Sequence, residues 1–373
     1  MTLPFGAHLP RPAAGKLQIY LLGPGVGESQ VVVFPDGRCM VVDGCTDRGV
    51  NLPAALLDHL AIPSIDALVL THPDLDHLRG VADVVRRFAP RKLFRYPALG
   101  YVRDFVAMWH KADPTKARYR ELADAIDVLD EHANLHGTVD DAPCASTRPW
   151  TPNGAPYTVH FLAPTPFDRD RVRLLWRKIV ELKAGRYVLS RRFERLMTGE
   201  TRLGDAPNAV SLGIVLEWAG RKVLLAGDVE NGKRSSPKSG WKGVLRLLDD
   251  PDDPRGHLVN DVDLVKVAHH GSKGAFFPDA WQRHAQSRKT TAILAPFAPS
   301  PLPSDPTLGD LRVHCAKLGI SAGGGDSFAR ARKAGWADVV GATMTTTAPC
   351  IAAVIEPTGE IQLFREGGAA LFE

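Results

Sequence analysis

The sequence predicts an α/β chain that builds a polar site where apolar strands stop, and three observations carry that expectation. The run Ile65-Asp66-Ala67-Leu68-Val69-Leu70 is aliphatic and bounded by turn formers, so it reads as a short buried strand. It leads directly into Thr71-His72-Pro73-Asp74-Leu75-Asp76-His77. Lys222-Val223-Leu224-Leu225-Ala226 reads as a second strand ending in Gly227-Asp228, and Asp263-Leu264-Val265-Lys266-Val267-Ala268 as a third ending in His269-His270-Gly271-Ser272. Strand ends are where α/β folds build their sites.

The first segment packs two imidazoles and two carboxylates into six positions. In an extended or tightly looped segment alternate side chains project to one side, so His72, Asp74 and Asp76 can converge while His77 closes in from the turn. The competing reading is a helix start with Asp74 or Asp76 as N-cap. Two flanking histidines favour metal ligation over a bare cap. A lone Gly-Asp is usually a turn and a lone His pair usually a satisfied polar pair, but the three motifs together point to one metal centre.

Between the site segments lies a long stretch, about 96–204, expected as a helical accessory insertion. Tyr101 to Asn134 is charged and helical in pattern, with Leu122, Ile126 and Leu129 on one face. Tyr157 to Leu162 reads as a strand, with His160 as a half-buried sheet residue. A second helical stretch is expected from Asp168 to Met197, carrying Arg169, Arg171, Arg173, Arg177, Arg191, Arg192 and Arg195 with Trp176 and Tyr187 between them. Two readings stay open for it: a phosphate-tracking lid, or a solvated helix whose arginines pair with Asp168, Asp170, Glu181 and Glu194. Further on, Ser211 to Trp218 reads as a strand and Arg234 to Gly240 as a basic loop. Pro299 to Pro306 is an extended rim loop before a helix over Thr307 to Lys317, and Gly323-Gly324-Gly325 marks a turn.

Composition narrows the class. A chain of 373 residues with 44% hydrophobic content buries a large core, and 24% charged residues is ordinary for a globular protein. No apolar run approaches the length of a transmembrane helix, so no membrane role is expected. Residues 1–16 are Pro-rich without a hydrophobic signal core and read as a flexible arm preceding one domain over 17–373. Cys39, Cys45, Cys144, Cys315 and Cys350 are odd in number and lack Cys-x-x-Cys spacing, which favours reduced thiols and a cytoplasmic setting. A net charge of +4 is too mild to argue for nucleic acid by itself.

His72-x-Asp74-x-Asp76-His77, Gly227-Asp228 and His269-His270-Gly271-Ser272-Lys273 resemble the motifs of the metallo-β-lactamase-fold hydrolases. Within them they are most similar to the soluble ComEC-like metallohydrolase domain of DNA-uptake proteins. The likeness begins at Leu17 to Gly44, where Leu22-Gly23-Pro24-Gly25-Val26-Gly27-Glu28-Ser29 replaces that family's Gly-x-Gly-Asp turn and Val41-Val42-Asp43-Gly44 ends a strand. It resumes at Ala206 to Leu212 and at Thr358-Gly359-Glu360-Ile361. The resemblance implies an αββα sandwich of two mixed sheets, with helices outside and the site at one edge. It also implies one or two divalent ions, Zn²⁺ or Mn²⁺ with Mg²⁺ as a further option.

By the same resemblance His72 and Asp74 bind a first metal, Asp76, His77 and His269 a second, and Asp228 bridges them. Asp43 orients the histidines, and which of His269 and His270 points inward stays open. The chain departs from the wider superfamily in placing Asp74 where a histidine is usual, which hardens the ligand set toward Mn²⁺ or Mg²⁺. The usual third-motif histidine has no clear counterpart, and Asn208 is the better positional match. Such a centre lowers the pKa of a bound water, which Asp76 or Asp228 then orients or deprotonates. Asn208, Ser211, Ser272 and Lys273 are the candidate contacts to a substrate phosphoryl oxygen. The expected function is a metal-dependent phosphodiesterase or nuclease on DNA or RNA. The alternatives are hydrolysis of a small phosphodiester, ester, lactone or lactam, or a partner-dependent effector or binding subunit that keeps the fold.

Overall fold

The computed structural model describes the chain except residues 1–4, 7, 97–116, 137–138, 142–147, 184–185, 190–207, 233–235, 323–325 and 340–346. Two sheets dominate it. The first runs, edge to edge, Ile361–Glu366, Cys350–Ile355, Leu17–Leu22, Ser29–Val33, Cys39–Val42, Ala67–Leu70, Lys92–Arg95 and Val139–Asp141. It is antiparallel as far as Cys39–Val42 and parallel beyond. The second runs Ala370–Phe372, Cys315–Ile320, Thr290–Leu294, Leu264–Lys266, Arg221–Leu225, Gly213–Trp218 and Tyr157–Ala163, parallel in its middle and antiparallel at both edges.

Strands apolar on both faces force a layered fold, because neither face can be left to water. Leu17–Leu22 is buried throughout. Leu17, Ile19 and Leu21 face the second sheet and pack with Phe161, Ile214, Leu216 and Val223. Tyr20 and Leu22 face outward onto the helices Leu52–His59 and Val81–Phe88. On the far side, Val215, Leu224, Val265 and Ala292 are covered by Gly240–Leu248, Pro278–His284 and Asp305–His314. Each fully buried Leu, Ile or Val stabilises by about 1.5–3 kcal/mol, so the patterning alone specifies helix, sheet, sheet, helix. The expected αββα sandwich is what forms.

Several expectations need revision. The stretch 96–204 supplies parts of the sandwich itself: Val139–Asp141 extends the first sheet and Tyr157–Ala163 edges the second. The helix Ala117–His136 buries Ile126 and Leu129 against the first sheet, while the side chain of Leu122 and residues 101–116 lie outside the described residues. The Arg-rich helix expected over Asp168 to Met197 spans Pro166–Ile179. There the chain passes into an antiparallel pair, Val180–Lys183 with Arg186–Leu189, whose β-branched and aromatic residues favour extension. Arg191, Arg192 and Arg195 lie outside the described residues.

The helix expected over Thr307 to Lys317 is Asp305–His314, and Cys315–Ile320 continues as a strand. Ser304 caps that helix by accepting from the Thr307 N–H. The first residues are not a loose arm where described. Phe5 and Leu9 are buried, and the Tyr20 hydroxyl donates to the Pro10 carbonyl at 2.6 Å. Two apolar side chains suffice to dock a Pro-rich segment whose backbone has little entropy left to lose. No helix among the described residues is long and apolar enough to cross a membrane.

Candidate metal centre

Four strands deliver the functional residues to one edge of the sandwich. Asp43 follows Cys39–Val42 and His72 follows Ala67–Leu70, a parallel pair in the first sheet. Asp228 follows Arg221–Leu225 and His269-His270 follow Leu264–Lys266, a parallel pair in the second. Parallel pairing puts all these C-terminal ends on the same side. The Leu212 N–H donates to the Thr71 carbonyl at 3.1 Å and stitches the two sheets together beside the site.

Local geometry then aims the side chains. Asp74 occupies the N-cap position of the short helix Leu75–Leu78 but makes no side-chain cap bond, so its carboxylate stays free for the cleft. Gly227 has φ +51, and a Cβ there would meet the Leu212 carbonyl at 2.5 Å, so only glycine lets the chain turn Asp228 inward. The Asp228 N–H donates to the Ser211 hydroxyl at 2.8 Å. His269 and His270 are both left-handed, with φ 47 and 52, which sends their rings to different sides of the cleft.

Asp43 sets the tautomers of two histidines. It sits buried in the left-handed region at φ 58, a conformation that Asp tolerates. It accepts from the Thr71 N–H at 2.7 Å, the Thr71 hydroxyl at 2.6 Å and His77 Nδ1–H at 2.8 Å. With the Thr71 proton committed to Asp43, the 2.9 Å contact between Thr71 Oγ1 and His72 Nδ1 is donated by the imidazole. His270 Nδ1 donates to the Ala295 carbonyl at 3.1 Å, and Phe297 stacks on its ring at 5.0 Å between centroids. All three histidines therefore turn Nε2 into the cleft, the orientation that ligating histidines need.

What these atoms face is each other. His72 Nε2 lies 3.8 Å from Asp228 Oδ2 and 3.6 Å from Asp74 Oδ2. His77 Nε2 lies 3.6 Å from Asp228 Oδ1 and 3.8 Å from Asp76 Oδ2, and His270 Nε2 lies 3.4 Å from Asp76 Oδ2. Two donors each about 2.1 Å from one tetrahedral cation sit about 3.4 Å apart, so these spacings match edges of a coordination shell. His72 Nε2, His77 Nε2, His270 Nε2 and Asp228 Oδ1 are buried without a hydrogen-bond partner. Buried polar atoms are rarely left so, and four converging ones fit a cation. With Asp76 they form two groups, His72, His77 and Asp228, and Asp76, His77 and His270.

The electrostatics agree. Burial disfavours charge on His77, but Asp228, Asp76 and Asp43 outweigh it and hold the imidazole well above its usual pKa. Burial also works against ionised Asp228, yet His77 and the other imidazoles hold its carboxyl well below the usual range. His72, pushed down to about 4 by burial and then by His77, stays neutral. One proton thus sits where a cation fits.

The predicted residues fall out as follows. His270, rather than His269, joins Asp76 and His77. His269 lies on the His72 side, with Nε2 3.8 Å from Asp228 Oδ2 and Nδ1 3.3 Å from Glu230 Oε1. Asn208 Nδ2 stands 3.4 Å from the His269 ring and 3.3 Å from Glu230. Ser211 is buried and accepts from the Asp228 N–H, and half-buried Ser272 accepts from the Gly274 N–H at 3.2 Å, so each hydroxyl keeps its O–H donor. Lys273 is exposed on the rim. His160 pairs with Glu217 at 3.3 Å, away from the centre. Sequence reasoning missed Glu28, Lys266 and Glu230. A lysine inside the apolar strand Leu264–Lys266 was the available signal for the first two.

Beside His269 opens a cleft of about 280 Å³, lined by Thr165, Asp168, Arg171, Asn208, Glu230 and Asn231 among others. Arg171 pairs with buried Asp168 at 3.4 Å, and Arg169 with Asp170 at 2.9 Å.

Among curated proteins none matches the sequence. Solved structures do match. The metallo-β-lactamase fold protein YhfI from Bacillus subtilis is 9% identical with a TM-score of 0.40, covering 82% of this chain and 95% of that one. A diphosphatase of the PhnP family is 11% identical with a TM-score of 0.34, covering 74% and 85%. Zn²⁺-bound PqqB from Methylobacterium extorquens is 12% identical with a TM-score of 0.33, covering 66% and 71%. The family model of the metallo-beta-lactamase superfamily matches residues 23–275, more than half of the chain and the span that carries every motif from the Gly-rich turn to His270. With the four-layer sandwich and its edge cluster of histidines and aspartates, that match makes this chain a member of the metallo-β-lactamase superfamily.

Proposed function

We propose that the chain is a metal-dependent phosphodiesterase, with DNA or RNA as its substrate class. The superfamily binds one or two metal ions and is suggestive of metal-dependent hydrolysis. The observation that carries the reading further is the ligand set itself: Asp74, Asp76 and Asp228 stand among His72, His77 and His270. Three carboxylates harden the centre toward Mn²⁺ or Mg²⁺, with Zn²⁺ still served by the imidazoles, and hard cations suit phosphoryl oxygens. When bound, such ions supply a water of lowered pKa and neutralise charge on attacking and leaving oxygens.

The chain's own residues do the rest. His72, His77, His270 and Asp228 hold the centre, and Asp43 keeps two of the imidazoles in their ligating tautomer. Asp76 and Asp228 orient or deprotonate the attacking water. Asp74, with its side chain 43% exposed, marks the open side from which substrate enters. Lys273 on the rim and Asn208 beside His269 meet the anionic group. Within the superfamily we place the chain with the soluble ComEC-type domains, on the motifs around His72 and His269. A reducing, cytoplasmic setting goes with Cys39, Cys45, Cys315 and Cys350 as buried free thiols. The cleft of about 280 Å³ favours a second reading, in which the substrate is a small phosphodiester or an ester, lactone or lactam held whole.

The test is cleavage of single- and double-stranded DNA, RNA and bis-p-nitrophenyl phosphate with Mn²⁺, Mg²⁺ or Zn²⁺, with Asp76→Ala as control. Polymer cleavage lost in the variant supports the nuclease. Cleavage of the small diester alone moves the answer to the second reading, and silence across the panel with metal bound overturns phosphodiester hydrolysis.

A further inference from the structure

The chain buries a second charged pair beneath the metal centre. Glu28 and Lys266 both have side chains with no exposure, and Lys266 Nζ contacts Glu28 Oε1 directly. Lys266 ends an otherwise apolar strand, and Glu28 belongs to the Gly-rich turn before Ser29–Val33. Removing two ions from water is expensive, and an apolar pair of similar volume often serves stability as well or better. Fold stability alone gives little reason for this pair.

Its contacts give one. Lys266 Nζ donates to the Gly227 carbonyl at 3.1 Å, the residue immediately before Asp228. Glu28 Oε2 lies 3.5 Å from His270 Nδ1, on the side of the ring away from Asp76. The Glu28 N–H donates to the Asp76 carbonyl at 3.1 Å. One ion pair thus reaches the three segments that bring Asp76, Asp228 and His270 together, and those segments come from different strand ends in two sheets. The close approach is built in: Gly27 has φ +152, and a Cβ there would stand 2.5 Å from the Asp76 carbonyl oxygen.

We infer that Glu28 and Lys266 are positioning residues, Glu28 presetting the subsite formed by Asp76, His77 and His270, and Lys266 holding the turn that carries Asp228. The inference rests on the metal-centre reading above. The Ala295 carbonyl takes the His270 N–H, and the Glu28 carboxylate 3.5 Å behind Nδ1 raises the basicity of the ring as a ligand through its charge. The Lys266 ammonium balances that charge and pins the Gly227-Asp228 turn.

The experiment uses the full chain with Glu28→Gln, and with Glu28→Gln combined with Lys266→Met, which removes both charges together. Mn²⁺ affinity is read by titration calorimetry, and each subsite is assigned by anomalous scattering from Mn²⁺-soaked crystals. Val265→Ala, a core change on the same strand, is the control for a merely structural loss. The expected result for Glu28→Gln is a weakening of about 10- to 100-fold at the Asp76, His77, His270 subsite with the His72 side unchanged, and the double variant extends the loss to the Asp228 side. Equal affinity at both subsites in folded Glu28→Gln overturns the inference. So does a parallel loss at both that tracks melting temperature as Val265→Ala does. Absence of Mn²⁺ uptake by the unaltered protein is a different failure, because it removes the metal-centre reading as well.

Discussion

Asp43→Asn is the sharpest perturbation of the centre, because it changes one atom and one charge while leaving the backbone content. Asp43 holds φ 58, which Asn adopts as readily as Asp, so no conformational strain is added. The carboxylate takes three donors: the Thr71 N–H on Oδ1, and the Thr71 hydroxyl and His77 Nδ1–H on Oδ2. An amide has one acceptor oxygen. If its nitrogen faces the Thr71 N–H, that bond is lost. If its nitrogen faces His77, the imidazole must shift its proton to Nε2, which removes the lone pair aimed at Asp228 and Asp76. Either arrangement forfeits at least one charge-assisted hydrogen bond, worth about 1.5–3 kcal/mol. Transferred to the ligating state, that is about 10- to 150-fold in metal affinity. Competitive titration of Mn²⁺ or Zn²⁺ against a chromophoric chelator measures it directly. Unchanged affinity in Asp43→Asn would refute the claim that this carboxylate sets the imidazole tautomers.

Much of this was legible in the sequence, and what was not has identifiable causes. The strand ends at Leu70, Leu225 and Lys266 could be read because apolar runs stop at Gly, Pro and paired polar residues. The motifs near them named His72, Asp74, Asp76, His77 and Asp228 before any coordinates. Which of His269 and His270 turns toward Asp76 was open, since two consecutive left-handed residues leave no trace in residue type alone. That Ser211 and Ser272 accept from the Asp228 and Gly274 N–H groups was not legible either, because a hydroxyl's partners are set by the turn around it. The Arg-rich stretch read as one helix through Met197 because charge spacing is nearly blind to a change of period. The helix ends at Ile179, where Val180–Lys183 pairs with Arg186–Leu189. Glu28 and Lys266 escaped notice because a buried ion pair joins residues far apart in the chain, and the one local sign, a lysine in an apolar strand, does not name its partner.

Three further outcomes are expected. Asp228→Ala abolishes hydrolysis while circular dichroism shows an unaltered fold, and full retained activity would remove Asp228 from the reaction. His284 is buried between Trp241 and Trp281, outside the metal centre, and burial pushes its pKa from 6.5 down to about 4. The unfolded chain therefore takes up this proton first as pH falls. The penalty begins below about pH 6.5, is complete near pH 4 and reaches about 3 kcal/mol; chemical denaturation of His284→Gln should show a flatter acid limb, and an identical limb would refute the assignment. Metal uptake has its own pH signature. His77 is held protonated by Asp228, Asp76 and Asp43 despite its burial, and it must release that proton before Nε2 can ligate. His72, already neutral above about pH 4, adds no proton to the exchange. Affinity should consequently fall as pH drops below neutrality. Calorimetry run in buffers of differing ionisation enthalpy should show protons released from His77 and from Asp74, whose carboxyl burial pushes up to about 7. A pH-independent affinity would mean that His77 enters the site neutral and that the three carboxylates around it do not govern its charge.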